Sequence, residues 1–477
     1  MIFNSFAYLI FFPLVFLVYW LLASKNVKIQ NLFLLAASYF FYAWWDWRYL
    51  SLIILCSVVN YAAGILLMKT NIQKYRRLII YVCCIVSLGV LGVFKYYDFF
   101  IASFADLLGS LNINLNLRTL NLILPVGISF YTFHTLTYTF EVYKGKFTPT
   151  NDIVSFFLFV SIFPLAMAGP IERATNLLPQ LYKKRIINYT EVTAGLKMIL
   201  WGIFMKVAIA DRLSIYVDAV YNNVPNHSGS SLMLATIFFS FQIYCDFAGY
   251  SGIAIGCGKL LGFNFIKNFN RPYLAVSVAD FWKRWHISLS TWFRDYVYIP
   301  LGGNRCSPTR NYSNLMVTFL VSGLWHGANW TFVVWGGLNG LYQIIGRLFT
   351  STKGKFQKKL SSPEKGKIKV VFNIITTFIL TSFSWIFFRA NSMNEAFLII
   401  KKICQFEGSL FTAMIGYGVI LLLILIISDI LQERNSDVHY FLDNKHRVVR
   451  YFTYLTLVLI ILMIGVFDGS QFIYFQF

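Results

Sequence analysis

Charge is scarce in this chain. Only 13% of its 477 residues are Asp, Glu, Lys or Arg, about half the share of a soluble globular domain, which excludes an ordinary water-soluble fold. Acids are the scarcer sign, 20 against 41 basic residues, for a formal charge of +21. The basic excess gathers in loops between apolar runs. That pattern fits cytoplasmic loops facing anionic lipid and argues against nucleic acid as a partner. Histidines number only six. The seven cysteines contain no CxxC pair, so neither a zinc site nor a disulfide framework is expected. They read as small buried hydrophobes. No HExxH or similar ligand spacing suggests a metal site of another kind. No basic residue precedes Lys25, so the charged start of a secretory signal is missing. Alternating ten-residue segments are few, which disfavours a membrane β-barrel.

What the chain does have is apolar surface: 57% hydrophobic residues, 19% of the total aromatic. Several apolar runs approach the roughly 20 residues that cross a bilayer as helix. The expected fold is an all-α polytopic membrane protein of about twelve crossings. One integral domain over residues 1–477 is expected, with a core at 120–350 and peripheral helices at 1–119 and 351–477. Expected spans include Phe6–Leu22, Leu50–Met68, Leu78–Phe94 and Leu120–Tyr143, the last with Pro125 and Gly127 kinking or unwinding its entry. Ile153–Ala168 is broken by Pro164, so it reads as a re-entrant or interfacial segment covered by protein. Ser214–Ser231 reads as an external loop, and Lys353 to Lys369 as a cytoplasmic one. Lys401 and Lys402 fall near the outer side, against the charge rule.

The stretch from Phe281 to Gly337 differs from the rest. It opens FWKRWHISLSTWFRDYVYIPLGGNR and closes SGLWHGANWTFVVWGG. The opening is basic and fits an interface or cavity lining. The close is two apolar runs, Asn311–Leu324 and Trp330–Leu348, joined at His326. The first run covers only about 21 Å as helix, short of a bilayer core, so His326 is expected at a hairpin apex inside the membrane. An ionisable residue there is a functional candidate, although a core histidine bonded to a broken-helix carbonyl fits as well. Asp246, in YCDFAGYSG, is an intramembrane acid expected to pair with a cation of the 283–294 block.

Three strings, YCDFAGYSGIAIGCGKLLGFNFIKNFNRPYLA, FWKRWHISLSTWFRDYVYIPLGGNR and LWHGANWTFVVWGGLNG, together resemble the core of membrane-bound O-acyltransferases. The opening FNSFAYLIFFPLVFLVYW and the terminal QFIYFQF are similar to the bacterial branch that holds the alginate O-acetylation membrane subunit. The resemblance implies a helical bundle with a central tunnel, an acyl donor approaching from the cytoplasm, and an acceptor on the other side. It implies catalytic roles for His326 and for His286, the histidine of the RWH string.

A neutral imidazole is suited to taking a hydroxyl proton near pH 7. Lys283, Arg284 and Arg294 are candidates for binding donor phosphates or an acidic carrier surface, and equally for lipid phosphate. Trp325 and Asn329 complete the candidate set, Asn329 as an oxyanion donor or as a helix cap. No bound cofactor and no metal are expected. The implied donor is acetyl-CoA or an acyl carrier. Implied partners are the lipid bilayer of the cytoplasmic (inner) membrane, an extracytoplasmic acetyltransferase and a cytoplasmic acyl carrier. The implied function is O-acetylation of an alginate-like cell-envelope or secreted polysaccharide. Peptidoglycan O-acetylation and teichoic-acid D-alanylation are alternatives, and a transporter is a rival from another class.

Overall fold

A computed structural model describes residues 1–23, 26–113, 117–167, 169–353, 363–413, 415–435, 439, 441–467, 472 and 473. Lys25, much of the Lys353 to Lys369 stretch and most of the terminal FDGSQFIYFQF lie outside the described residues. Among the described residues every regular element is helical. Seven of these helices are long and apolar enough to cross a membrane: Trp47–Lys69, Gln73–Ser110, Tyr189–Tyr221, Gly229–Leu260, Gly366–Arg389, Ile415–Arg434 and Arg447–Ile464. Phe6–Leu22 is a shorter apolar helix. The all-α membrane fold stands, and the expected twelve or so crossings are compatible with it.

The chain divides into two compact units. The first comprises residues 1–199 and 250–266, the second residues 200–249 and 267–473.

The first unit holds α1 (Phe6–Ala23), α2 (Val27–Ala43), α3 (Leu50–Lys69), α4 (Gln73–Leu91), α5 (Tyr97–Ser110) and α6 (Ile128–Tyr143). Short α7 (Ile153–Ser161), α8 (Phe163–Ala166) and α9 (Ala174–Tyr182) follow, and α10 (Tyr189–Ile203) begins here. The entry to α6 is unwound, as Pro125 and Gly127 suggested: Gly127 sits at φ 74 as the residue before the helix, a conformation glycine reaches without penalty. Nearly all of α6 is buried, so its histidine and threonines serve the interior rather than lipid. The α7–α8 pair is short, broken and buried, which is how irregular backbone survives at membrane depth. Arg185 lies in the connection between α9 and α10. It is buried, donating to Gln30 Oε1 at 2.8 Å and Asn31 Oδ1 at 2.6 Å.

The second unit carries α11 (Asp211–Tyr221), most of α12 (Gly229–Leu260), α13 (Val278–Arg284), α14 (Ile287–Phe293), α15 (Pro308–His326), α16 (Trp330–Lys353), α17 (Pro363–Arg389), α18 (Met393–Gln405), α19 (Ile415–Arg434) and α20 (Arg447–Ile464). A π-helical stretch, Phe204–Ala210, runs straight into α11. Much of the expected external loop is therefore helix. The reason is Lys206 inside that stretch. Its ammonium lies 2.7 Å from Asp211 and 2.6 Å from Asp246, all three side chains being at most 4% exposed. Asp246 thus pairs with Lys206 and not with the 283–294 block, which corrects the sequence expectation. Its second oxygen accepts the Ile473 N–H at 2.8 Å. A carboxylate at this depth is tolerable only when so paired.

The anomaly at Lys402 also resolves. Its ammonium donates to the carbonyls of Val224, Pro225 and His227 at 2.5–3.0 Å.

Candidate active site

The site is built on a helical hairpin. α15 starts at Pro308, where Ser307 Oγ accepts the Arg310 N–H and Pro308 occupies the first turn, a favourable place for proline. At 19 residues it is about 28 Å long, not the 21 Å inferred from the apolar run alone. Pro308, Thr309 and Arg310 at its start and Trp325 and His326 at its end extend it beyond that run. His326 is its last residue. The turn is Gly327–Asn329, and α16 returns alongside.

Two glycines let the helices touch. A Cβ on Gly323 would overlap the Phe332 carbonyl oxygen and lie 3.1 Å from its carbon and 3.3 Å from Gly336 Cα. A Cβ on Gly336 would likewise overlap the Phe319 carbonyl and lie 3.2 Å from Gly323 Cα.

His286 arrives from another direction. It is the two-helix corner between α13 and α14, with φ 42 and ψ 54, a left-handed conformation unusual for a residue with a side chain. The two imidazoles come within 6.4 Å, ring centre to ring centre. Both are buried, at 1% and 3% exposure. Trp325 bridges them, 5.9 Å from His286 and 4.9 Å from His326. Trp335 and Phe388 close the far side of His326 at 4.9 and 5.4 Å. Phe247 stands edge-on to His286 at 4.6 Å. His286 lies outside the seven spanning helices. Burial pushes its imidazole down to about 3, because the charged form loses hydration. A neutral imidazole is the form that accepts a proton.

A cavity of about 270 Å³ opens near this pair, though its lining includes neither histidine. Its walls include Trp282, Leu289, Phe293, Leu315 and Phe319, and its cations are Lys283, Arg294 and Arg347. Two helix faces tie it to His326. Along α15, Leu315, Thr318, Phe319 and Ser322 line the cavity, and His326 continues that face one turn further, about 6 Å along the axis. Along α16, Gln343 and Arg347 line the cavity. Asn339 and Trp335 follow at the same four-residue spacing, and Trp335 meets His326. Trp282 joins the two places: it lines the cavity and packs 5.7 Å from Trp335.

The sequence candidates thus separate. His286, His326 and Trp325 meet. Lys283 and Arg294 reach the cavity, Arg294 while paired with Asp295 at 2.8 Å. Arg284 is engaged elsewhere, 3.1 Å from Asp280 and 3.0 Å from Glu433. Asn329 acts as the α16 cap, accepting the Thr331 N–H at 3.0 Å, and its amide donates to the Asn391 carbonyl at 3.1 Å. Arg347 and Gln343 escaped the sequence reading. The four-residue spacing Trp335, Asn339, Gln343, Arg347 was the signal that could have found them. Among the described residues no group of three or more His, Cys, Asp or Glu is placed to hold a metal ion.

Residues 40–390 match a family described as MBOAT, membrane-bound O-acyltransferase family. The chain is 37% identical over 409 residues to a protein of Pseudomonas aeruginosa named "Probable alginate O-acetylase AlgI", covering 85% of this chain and 75% of that one. It is 34% identical over 426 residues to the "Peptidoglycan O-acetyltransferase" of Helicobacter pylori, covering 83% and 78%. A "Teichoic acid D-alanyltransferase" of Bacillus subtilis is 26% identical over 288 residues, covering 58% and 71%.

Proposed function

This chain belongs to the membrane-bound O-acyltransferase family, and from that premise we propose that it passes acetyl groups from a cytoplasmic thioester donor across the membrane for O-acetylation of a cell-envelope or secreted polysaccharide. One observation carries the assignment of the site: the two histidines of the RWH and WHG strings, forty residues apart in sequence, meet at 6.4 Å within one aromatic enclosure.

The chemistry follows from that enclosure. An acceptor hydroxyl gives its proton to a neutral imidazole nitrogen of His326 as its oxygen attacks the acetyl carbonyl carbon. The new C–O bond forms, the C–S bond breaks, and the imidazolium returns the proton to the departing thiolate. Histidine suits both halves because one ring nitrogen can take the proton and later return it. His286 orients the acceptor or the carbonyl from the opposite side. Trp325 and Trp335 exclude water, which would otherwise hydrolyse the thioester.

The donor enters through the cavity beside α15 and α16. Its apolar wall suits a short acyl chain and pantetheine-like arm. Lys283, Arg294 and Arg347 suit phosphate oxygens or the acidic surface of a carrier. An extracytoplasmic partner completes delivery to the polymer, and the chain resides in the cytoplasmic membrane. The peptidoglycan O-acetyltransferase similarity favours peptidoglycan as the second acceptor reading, with the same site and the same chemistry.

His326→Ala tests the proposal. The variant is expected to insert and purify like the parent while base-releasable acetate on the envelope polysaccharide falls by about 10²-fold or more, the loss typical of a removed general base. Undiminished acetate with normal protein levels overturns the reading.

A further inference from the structure

We propose that Asn268 is a positioning residue that holds His286 in its left-handed corner and thereby sets the rate of acyl transfer. The inference rests on the reading of His286 as part of the active site.

The starting point is the strain at His286. A left-handed conformation is sterically unfavourable for a residue with a Cβ, and Gly would occupy the same corner freely. His286 is also fully buried, so the penalty is not relaxed by solvent. Such outliers persist only where the surroundings over-determine them.

The surroundings here are one short segment, Asn268 to Arg271, running beside the corner. The Asn270 N–H donates to the Arg284 carbonyl at 2.9 Å, and the Ile287 N–H donates to the Asn268 carbonyl at 2.9 Å. These two bonds bracket His286 on both sides. Asn268 then adds its side chain. Its Oδ1 accepts the Ser288 hydroxyl at 2.9 Å and the Ser288 N–H at 3.3 Å. The first N–H groups of any helix lack partners within the helix. Ser288 is the second residue of α14, so Asn268 caps that helix from a distant part of the chain.

The clamp is anchored in turn. Arg271 is itself left-handed, at φ 45. Its guanidinium meets Glu433 at 2.6 Å, and Arg284 meets the same carboxylate at 3.0 Å. The far end of the clamp segment and the helix before His286 are therefore tied to one acid on α19. Asn268 is the only link of this set that grips the residues just after His286 with both main chain and side chain. It is 1% exposed and its side-chain oxygen is taken up by Ser288, so it acts through the His286 corner and not on substrate.

The test uses the full-length protein in detergent or proteoliposomes, with acetyl-CoA as the donor probe and acetylated polysaccharide as the readout. Asn268→Ala is expected to lower kcat about 10–100-fold, the scale of a displacement near 1 Å in a reacting group. KM for acetyl-CoA should stay within about twofold of the parent. Asn268→Asp keeps an oxygen acceptor for Ser288 and should restore most of the rate. Diethylpyrocarbonate labelling of His286, read by mass spectrometry, should accelerate in Asn268→Ala while labelling of His446 is unchanged. Where Asn268→Ala fails to fold, Ser288→Ala removes one of the two bonds to Oδ1 and should lower kcat by a few fold. Parent-like kcat and His286 labelling in these variants overturn the clamp. Parent-like transfer in His286→Ala instead overturns the underlying role of His286, which separates the two failures.

Discussion

The sharpest prediction concerns Gly323, which touches no proposed substrate. It lies three residues before His326 on the face of α15 that meets α16. A methyl group there would sit 3.1 Å from the Phe332 carbonyl carbon, 3.3 Å from Gly336 Cα, and closer still to the Phe332 oxygen. Optimal carbon contacts lie at about 3.5–4.0 Å, so Gly323→Ala must push the helices apart by something on the order of 1 Å. None of the obstructing atoms is the end of a flexible side chain; all are backbone. The displacement therefore passes into the turn that holds His326. A misplacement of about 1 Å in a reacting group costs about 10²-fold in rate. Overpacking of this kind costs about 1–3 kcal/mol in stability, which leaves a folded protein to assay. The assay is base-releasable acetate on the polysaccharide, with size-exclusion elution as the fold control. Gly337→Ala is the matched control. Its Cβ would meet only Leu320 Cδ2, at an ordinary 3.6 Å, and activity should be unchanged. Parent-level acetylation in Gly323→Ala would refute the claim that the glycine contact sets the position of His326.

Two further predictions address stability. Lys206→Met leaves Asp211 and Asp246 buried without their cation, and breaking such a pair costs about 3–5 kcal/mol; survival after a heating step should drop sharply and recover in part when both acids are changed to Asn. Heat resistance equal to the parent in the single variant would count against the ion cluster. Glu172, between α8 and α9, is fully buried and accepts the Ile266 N–H and the Asn176 amide. Burial raises its carboxyl from 4.5 to about 7. The folded state thus holds this proton more tightly than the unfolded state. Its stabilising contribution is complete below about pH 4.5 and is lost as pH rises through about 7. Glu172→Gln should flatten that fall, so the heat resistance of variant and parent should diverge between pH 5 and pH 8. Parallel curves would refute it.

Much was legible in the sequence because it depends on composition and spacing alone. Low charge and long apolar runs require a helical membrane protein, since backbone groups in lipid must bond within their own segment. Pro125 with Gly127 marked the unwound entry to α6, and Pro164 marked the break between α7 and α8. The strings around His286 and His326 carried the family resemblance, and the match over residues 40–390 bears it out.

Other features were closed to any linear reading. The partner of Asp246 proved to be Lys206, forty residues upstream, because a π-helical stretch aims that ammonium into the interior. Arg185 sits in a connection between helices, yet it is buried and bonded to the amides of Gln30 and Asn31. Arg284 and Arg294 are ten residues apart and each holds a carboxylate, yet only the second, paired with its neighbour Asp295, also lines the cavity.

The chain's own order of residues determined that it lies in a membrane and that it is helical, since both follow from local chemistry, and its family resemblance marked two histidines as candidates. Only the tertiary structure decided that those histidines meet, that backbone contact at Gly323 and Gly336 sets one of them, and that Asn268 holds the other. Such contacts join residues far apart in the chain, and their energies depend on distance and burial, which no spacing along the sequence records.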